Sequence, residues 1–222
     1  MLPVVAFLLN LLVWSAPAFA CAPPAERALF RIEHETFGDI GRQVLTFWCD
    51  GDRLVVDTTV DVAVRMLFLT IYRHEARYRG VWQGDRLIRF ESHTDDNGKI
   101  LEVFARAAGG RVIIDGPNGQ SEAPLTVVPN HPWNHDVIAR TLLFDPVDGK
   151  VLQVDVTDAG EEAIELAGRR VMARKYLVSG DLKLELWYDL GGAWVRWRMQ
   201  DERGTVTMSR QLPSRLADAG LG

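Results

Sequence analysis

From Leu54 onward the even-numbered residues Leu54, Val56, Thr58, Val60, Val62, Val64, Met66 and Phe68 form one side of an extended chain, while Asp57, Thr59, Asp61 and Arg65 fall on the other. A helix repeats every 3.6 residues or so and cannot gather such a set on one face, so the stretch reads as a strand with one buried side. At about 3.3 Å per residue it would run roughly 50 Å, far past the usual strand of about 5–6 residues. A strand of that length bends or carries a bulge, and curved strands belong to barrels and half-barrels.

Turn residues recur at hairpin spacing, among them Gly38-Asp39-Ile40-Gly41, Asp50-Gly51-Asp52, Gly84-Asp85, Asn97-Gly98, Gly109-Gly110 and Gly191-Gly192. Between them lie short runs rich in Val, Ile, Leu, Trp and Tyr, such as RVIID, KVLQVDV and LKLELWYD. The pattern predicts an all-β fold, an antiparallel curved sheet or partly closed β-barrel, as a single domain over residues 21–212. The opening hairpin is expected to pair residues 29–36 with 42–49. The polar end, residues 213–222, reads as a flexible tail.

Residues 1–20, MLPVVAFLLNLLVWSAPAFA, contain no charged side chain and end in the small-x-small triplet Ala18-Phe19-Ala20, the pattern of a cleaved signal peptide. The chain is therefore expected in the bacterial periplasm, with no transmembrane span in what remains after cleavage. The two cysteines, Cys21 and Cys49, read as one disulfide in an exported protein. Cys21 also stands directly after the cleavage point, where a bacterial lipoprotein is acylated, so anchoring through Cys21 is the alternative.

The stretch VPNHPWNHDVIART places His131 and His135 four residues apart, with Asp136 after the second, and so raises the question of zinc. Asn134 is a good N-cap, Asp136 suits a first helical turn, and Trp133 with Ile138 occupies the positions of a hydrophobic staple. These predict one short helix near residues 134–140. In that register His131, held extended by Pro132, precedes the helix in an exposed loop and the two imidazoles do not share a face. No metal and no cofactor are expected.

The formal net charge is −5, and removing the uncharged leader leaves it there, which argues against a nucleic-acid partner. The basic residues of YRHEARYRG alternate with others along a strand and read as a solvated face. HTDDNGK fails as a calcium loop because His93 stands where an acid is needed, and Asn97-Gly98 reads as a tight hairpin turn. There is no G-x-S-x-G, no phosphate-cradling glycine loop and no H-E-x-x-H. The pairs Asp95/Asp96 and Glu161/Glu162 could supply acid and base to a glycosidase, yet both fall at turns.

In TIYRHEARYRGVW the even positions Tyr72, His74, Tyr78 and Trp82 continue the buried parity, with Arg73, Glu75, Arg77 and Arg79 outward. If the sheet encloses a cavity, Tyr72, His74, Tyr78, Trp82 and Trp133 are the residues expected to touch a ligand there. Most tryptophans are otherwise expected in the core.

The block VRMLFLTIYRHEARYRGVWQGDRLIRFESHTDDNGK, followed by VIIDGPNG, PWN and LWYD, resembles an exported proteobacterial family described as a domain of unknown function. The resemblance implies nothing about chemistry. It departs at one place, since the family often has proline after Trp-Asn and His135 stands here. A looser, purely architectural similarity is to periplasmic lipoprotein carriers, whose curved sheet encloses an apolar cavity. The leading expectation is thus a protein that binds or carries a lipid or other amphipathic small molecule. An envelope-glycan hydrolase using a carboxylate pair, or a scaffold without ligand, are the alternatives.

Overall fold

The computed structural model describes residues 21–201 and 204–212, so the leader at 1–20 and the tail at 213–222 lie outside the described residues. The first half of the chain is a run of hairpins: β1 (Arg27–His34), β2 (Gly38–Asp50), β3 (Arg53–Met66), β4 (Leu69–Gln83), β5 (Arg86–Asp96), β6 (Lys99–Ala108), β7 (Arg111–Gly116) and β8 (Gly119–Pro124). Two short strands follow, β9 (Val128–Pro129) and β10 (Leu142–Phe144), separated by a 3-10 helix at His135–Ala139. The second half is β11 (Val151–Leu166), β12 (Arg169–Gly180), β13 (Leu184–Asp189), β14 (Trp194–Asp201) and β15 (Gly204–Arg210).

Among the described residues these strands form one sheet in the order β8-β7-β6-β5-β4-β3-β2-β1-β15-β14-β13-β12-β11-β10-β9. Every pair is antiparallel except β9 with β10. Each neighbour in the first half is the next strand in sequence, so turn chemistry alone fixes most of the register. The exception that joins the halves is β1, which pairs with β2 on one side and with β15 on the other, Phe30 opposite Arg210.

Bending occurs where the register slips: between Ile32 and Glu33, Val64 and Arg65, Val81 and Trp82, and Asp158 and Gly160. At Gly41 the β2 backbone presses onto β3 so closely that a Cβ would lie 2.0 Å from the Asp61 carbonyl oxygen. The two ends of the sheet approach where the end of β7 meets the loop between β10 and β11, a Cβ on Gly116 lying 2.6 Å from the Asp148 carbonyl oxygen. The result is a curved, incompletely closed barrel. Its concave side holds the main core, including Phe30, Leu45, Trp82, Phe144 and Tyr188. The outer half of the β11–β12 hairpin builds a second, smaller cluster of Ile164, Leu166, Ala173, Trp187 and Val195.

The structure corrects four details of the sequence reading. The first hairpin turns at residues 35–37, one strand beginning at Arg27 and the next at Gly38, because Gly41 serves the close β2–β3 approach instead of the turn. The buried parity of β3 ends at Val64, where the bulge lies, and Met66 and Phe68 are exposed. The expected helix is a five-residue 3-10 segment capped as predicted, the Asn134 Oδ1 accepting from the Asp136 N–H at 3.0 Å. With only Val137 of that segment buried, there is no apolar face to extend it. His131, expected in an exposed loop, is buried.

Cys21 and Cys49 form a disulfide, with their Cα atoms 5.8 Å apart. The pairing of Arg27 with Thr46 explains the reach: β2 runs past the start of β1, and the segment before β1 turns back to meet it. The 28-residue separation implies about 3.5 kcal/mol of stabilisation through the unfolded chain. Denaturant unfolding with and without reductant should show a loss of that order, and the denatured, unreduced protein should titrate no free thiol; two titratable thiols would contradict the bond.

Candidate functional site

The interior is divided by the loop at 130–133, which leaves the sheet after β9 and crosses the concavity. Its backbone is tied at both ends, Asn130 N–H donating to the Phe144 carbonyl at 2.8 Å and the Tyr188 hydroxyl donating to the Pro132 carbonyl at 2.9 Å. At its centre the Gln43 side-chain amide donates to His131 Nε2 at 3.0 Å. The His131 ring also meets Tyr78 and Trp194 edge-on. Burial pushes its pKa down from 6.5 to about 4, so the imidazole is neutral and can accept from Gln43. Below the loop Trp133 packs edge-on against Trp82 and Phe47 with ring centres 5.3 and 5.5 Å apart. His135 stands on the Tyr188 ring at 4.6 Å.

Above the loop lies a cavity of about 650 Å³, floored by Asn130, His131 and Pro132. Its walls are mostly apolar, with Ile32, Val60, Val64, Leu184, Trp197 and Met208 prominent. The exposed residues Phe37 and Ile71 also line it, so it opens at the end of the barrel where the β1–β2, β3–β4 and β5–β6 turns gather. That volume falls in the range of about 300–1,000 Å³ common for small-molecule sites. A larger concavity on the outer face of β1–β4, about 1430 Å³, is walled by paired charges such as Arg42 with Asp61 and Arg73 with Glu75, and offers an organic ligand far less apolar surface.

A few polar groups punctuate the apolar wall. The Tyr72 hydroxyl donates to Asp96 Oδ1 at 2.6 Å, and His74 Nδ1 lies 3.2 Å from the same oxygen. The Tyr72 bond, with a smaller contribution from His74, holds the Asp96 carboxyl below its usual range. Asp145 is pushed the other way by burial, although its Oδ1 accepts from the Val147 N–H at 2.7 Å. Burial likewise raises the Tyr78 hydroxyl above its ordinary pKa and keeps it protonated. His34, at the end of β1, accepts from the Thr36 N–H through Nδ1 at 3.0 Å.

Of the five residues expected to touch a ligand, Tyr72, His74 and Tyr78 line this cavity. Trp82 and Trp133 do not: they share the inward parity but sit on the far side of the crossing loop, in the packed aromatic layer. Sequence reasoning missed Gln43, His131 and Asp145 on the cavity wall and Asp96 behind it. His131 carried a visible cue, a histidine fixed extended before proline, while Asp96 was absorbed into a turn motif. The carboxylate pairs are otherwise engaged: Asp95 accepts from the Gly98 N–H, Glu161 pairs with Arg174, and Glu162 accepts from the Trp187 indole N–H. None of these residues belongs to the cavity wall.

The neutral His131 gives stability a pH dependence of definite sign. Unfolded, it titrates near 6.5; folded, near 4. Between those values the unfolded chain binds more protons, so the stability is full above about pH 6.5 and declines as the pH falls, by about 3 kcal/mol at pH 4. Urea unfolding at pH 7 and pH 4.5 should show His131→Gln losing about 2 kcal/mol less than the wild type over that interval. Equal losses would mean that His131 is not held neutral.

Comparison with known proteins agrees with this architecture. No curated protein matches the chain. Among solved structures, the crystal structure of a beta-barrel-like protein of domain of unknown function DUF1849 from Brucella abortus matches with a TM-score of 0.61 at 13% identity. The match covers 86% of this chain and 97% of that one, a likeness of fold. Residues 30–211 match the model of the family described as Domain of unknown function (DUF6134), and the chain belongs to that family.

Proposed function

We propose that this chain is an exported binding protein that holds an apolar or amphipathic molecule in the cavity above His131. The observation that carries the reading is the cavity itself: about 650 Å³, walled mainly by aliphatic and aromatic side chains and open at one end. Burial of a lipid-like tail against such walls contributes roughly 25 cal/mol per Å² of apolar surface removed from water. Export rests on the uncharged apolar leader at 1–20, and the Cys21–Cys49 disulfide suits an oxidising compartment such as the periplasm.

The polar groups bear on the ligand's head. Tyr72, His74 and Asp96 form a hydrogen-bonded group near the opening, and Asp145 adds a second carboxylate at the wall. A free carboxylate head would face both acids. A neutral or zwitterionic head that exchanges hydrogen bonds with Tyr72 and His74 fits better.

Fluorescence titration with a nitrobenzoxadiazole-labelled monoacylglycerol and the matching fatty acid tests this. The neutral probe should bind about fivefold tighter than the anionic one, for a like-charge cost of about 1 kcal/mol. Val62→Trp, which fills the cavity from β3, should abolish uptake while circular dichroism stays that of the wild type. His74→Leu should weaken uptake about fivefold, the worth of one hydrogen bond of about 1 kcal/mol, and Arg77→Ala on the outer face should leave it unchanged. Wild-type protein that takes up neither probe would end the binding reading.

A further inference from the structure

Among the described two-residue hairpin turns, all but one contain glycine or asparagine, although Ala167 of the β11–β12 turn is also left-handed, at φ +48. The β4–β5, β5–β6, β6–β7 and β7–β8 connections use Gly84-Asp85, Asn97-Gly98, Gly109-Gly110 and Pro117-Asn118. The β3–β4 turn is Leu67-Phe68. Leu67 adopts φ +55, as Asn97 does in the neighbouring turn, a left-handed conformation that glycine and asparagine enter cheaply and leucine does not. Leu67 is 90% exposed, Phe68 is fully exposed, and Met66 and Leu69 beside them are 55% and 71% exposed. Four consecutive apolar residues therefore stand in water on a turn whose left-handed position Leu67 does not favour. An exposed apolar tip of this kind is the mark of a contact surface.

Charge and place identify the contact. No acidic residue occurs from Val62 to His74, and Arg65 and Arg73 flank the tip, within a chain of net charge −5. Arg73 shares its charge with Glu75; Arg65 is the nearer cation to the tip. The tip is convex and narrow. A bilayer accepts such a wedge without a matching pocket, taking the apolar side chains among the acyl chains while the set-back arginines stay at the phosphates. The acidic remainder of the surface is repelled by the same membrane, which leaves the tip as the point of approach. Val64 and Ile71, on the strand ends just behind the tip, line the cavity.

We propose that the β3–β4 tip, residues 66–69, inserts into the surface of an anionic lipid bilayer and sets the cavity mouth against it. Insertion stands by itself; only its use in passing a ligand rests on the binding reading above.

Co-sedimentation with vesicles of phosphatidylethanolamine and phosphatidylglycerol, and with vesicles of phosphatidylcholine alone, tests the proposal. Wild-type protein should bind the anionic vesicles and bind the zwitterionic ones more weakly. The double variant Leu67→Asn, Phe68→Ser puts at position 67 a residue that suits φ +55 and removes the exposed ring at position 68. It should lose vesicle affinity by roughly tenfold or more with an unchanged or raised melting temperature, and should still take up the soluble neutral probe. Four results would overturn the insertion: wild-type protein that binds neither vesicle, a variant that binds as well as the wild type, a variant with a clearly lower melting temperature, or a wild-type dimer that the variant dissolves. The last would make the tip a contact between copies of this chain. Vesicle binding without probe uptake would end the ligand reading and leave the tip intact.

Discussion

One buried hydrogen bond, from the Gln43 amide to His131 Nε2, organises the interior of this barrel. A sheet this wide and curved encloses more space than its own inward side chains fill, and the loop at 130–133 divides that space in two. On one side Trp133 completes an aromatic layer with Trp82 and Phe47, close-packed as a core must be. On the other side the same loop becomes a floor, and the volume above it stays open as the cavity. A loop across an apolar interior has to satisfy its own polar groups. Tyr188 serves the Pro132 carbonyl, Phe144 serves the Asn130 N–H, and Gln43 serves the one side chain that could otherwise have been left a buried unpaired base. Packing below and space above are thus two outcomes of one strand-to-strand crossing.

What the sequence made legible was local. Strand identity along β3 and β4 follows from period-2 alternation, and each turn with Gly or Asn at a left-handed position announces itself without reference to the rest of the molecule. The Cys21–Cys49 link was legible for the same reason, since it closes over the first hairpin. The 3-10 segment shows where local reading stops. Its cap is as expected, Asn134 to the Asp136 N–H, but helix length depends on an apolar face and a partner for it, and only Val137 finds one.

The parts that were not legible are the long-range ones. Alternation says that Tyr72, His74, Tyr78 and Trp82 point inward, and cannot say that the distant loop at 130–133 passes between Tyr78 and Trp82, leaving one at a cavity and the other in a core. The same blindness affects Asp96, which a turn motif explains fully until Tyr72 and His74 arrive from the adjacent strand. Bulges add a second limit. The slip between Val64 and Arg65 releases the last apolar residues of β3 from the interior, so an unbroken apolar parity in the sequence becomes an exposed tip in the structure.

That release links the cavity to the exposed tip. Had β3 continued straight, Met66 and Phe68 would have kept the inward parity of Val60, Val62 and Val64. The bulge instead ends the wall at Val64, opens the cavity at Ile71 and Phe37, and turns the remaining apolar residues outward at the rim. If the tip meets a bilayer as proposed, an apolar opening beside it would keep most of an apolar ligand's surface covered between membrane and cavity. The polar group of Tyr72, His74 and Asp96 begins at the Val64–Tyr72 pair where the wall ends and reaches the Val62–His74 pair two further in, at the depth where the proposed ligand's head group would lie.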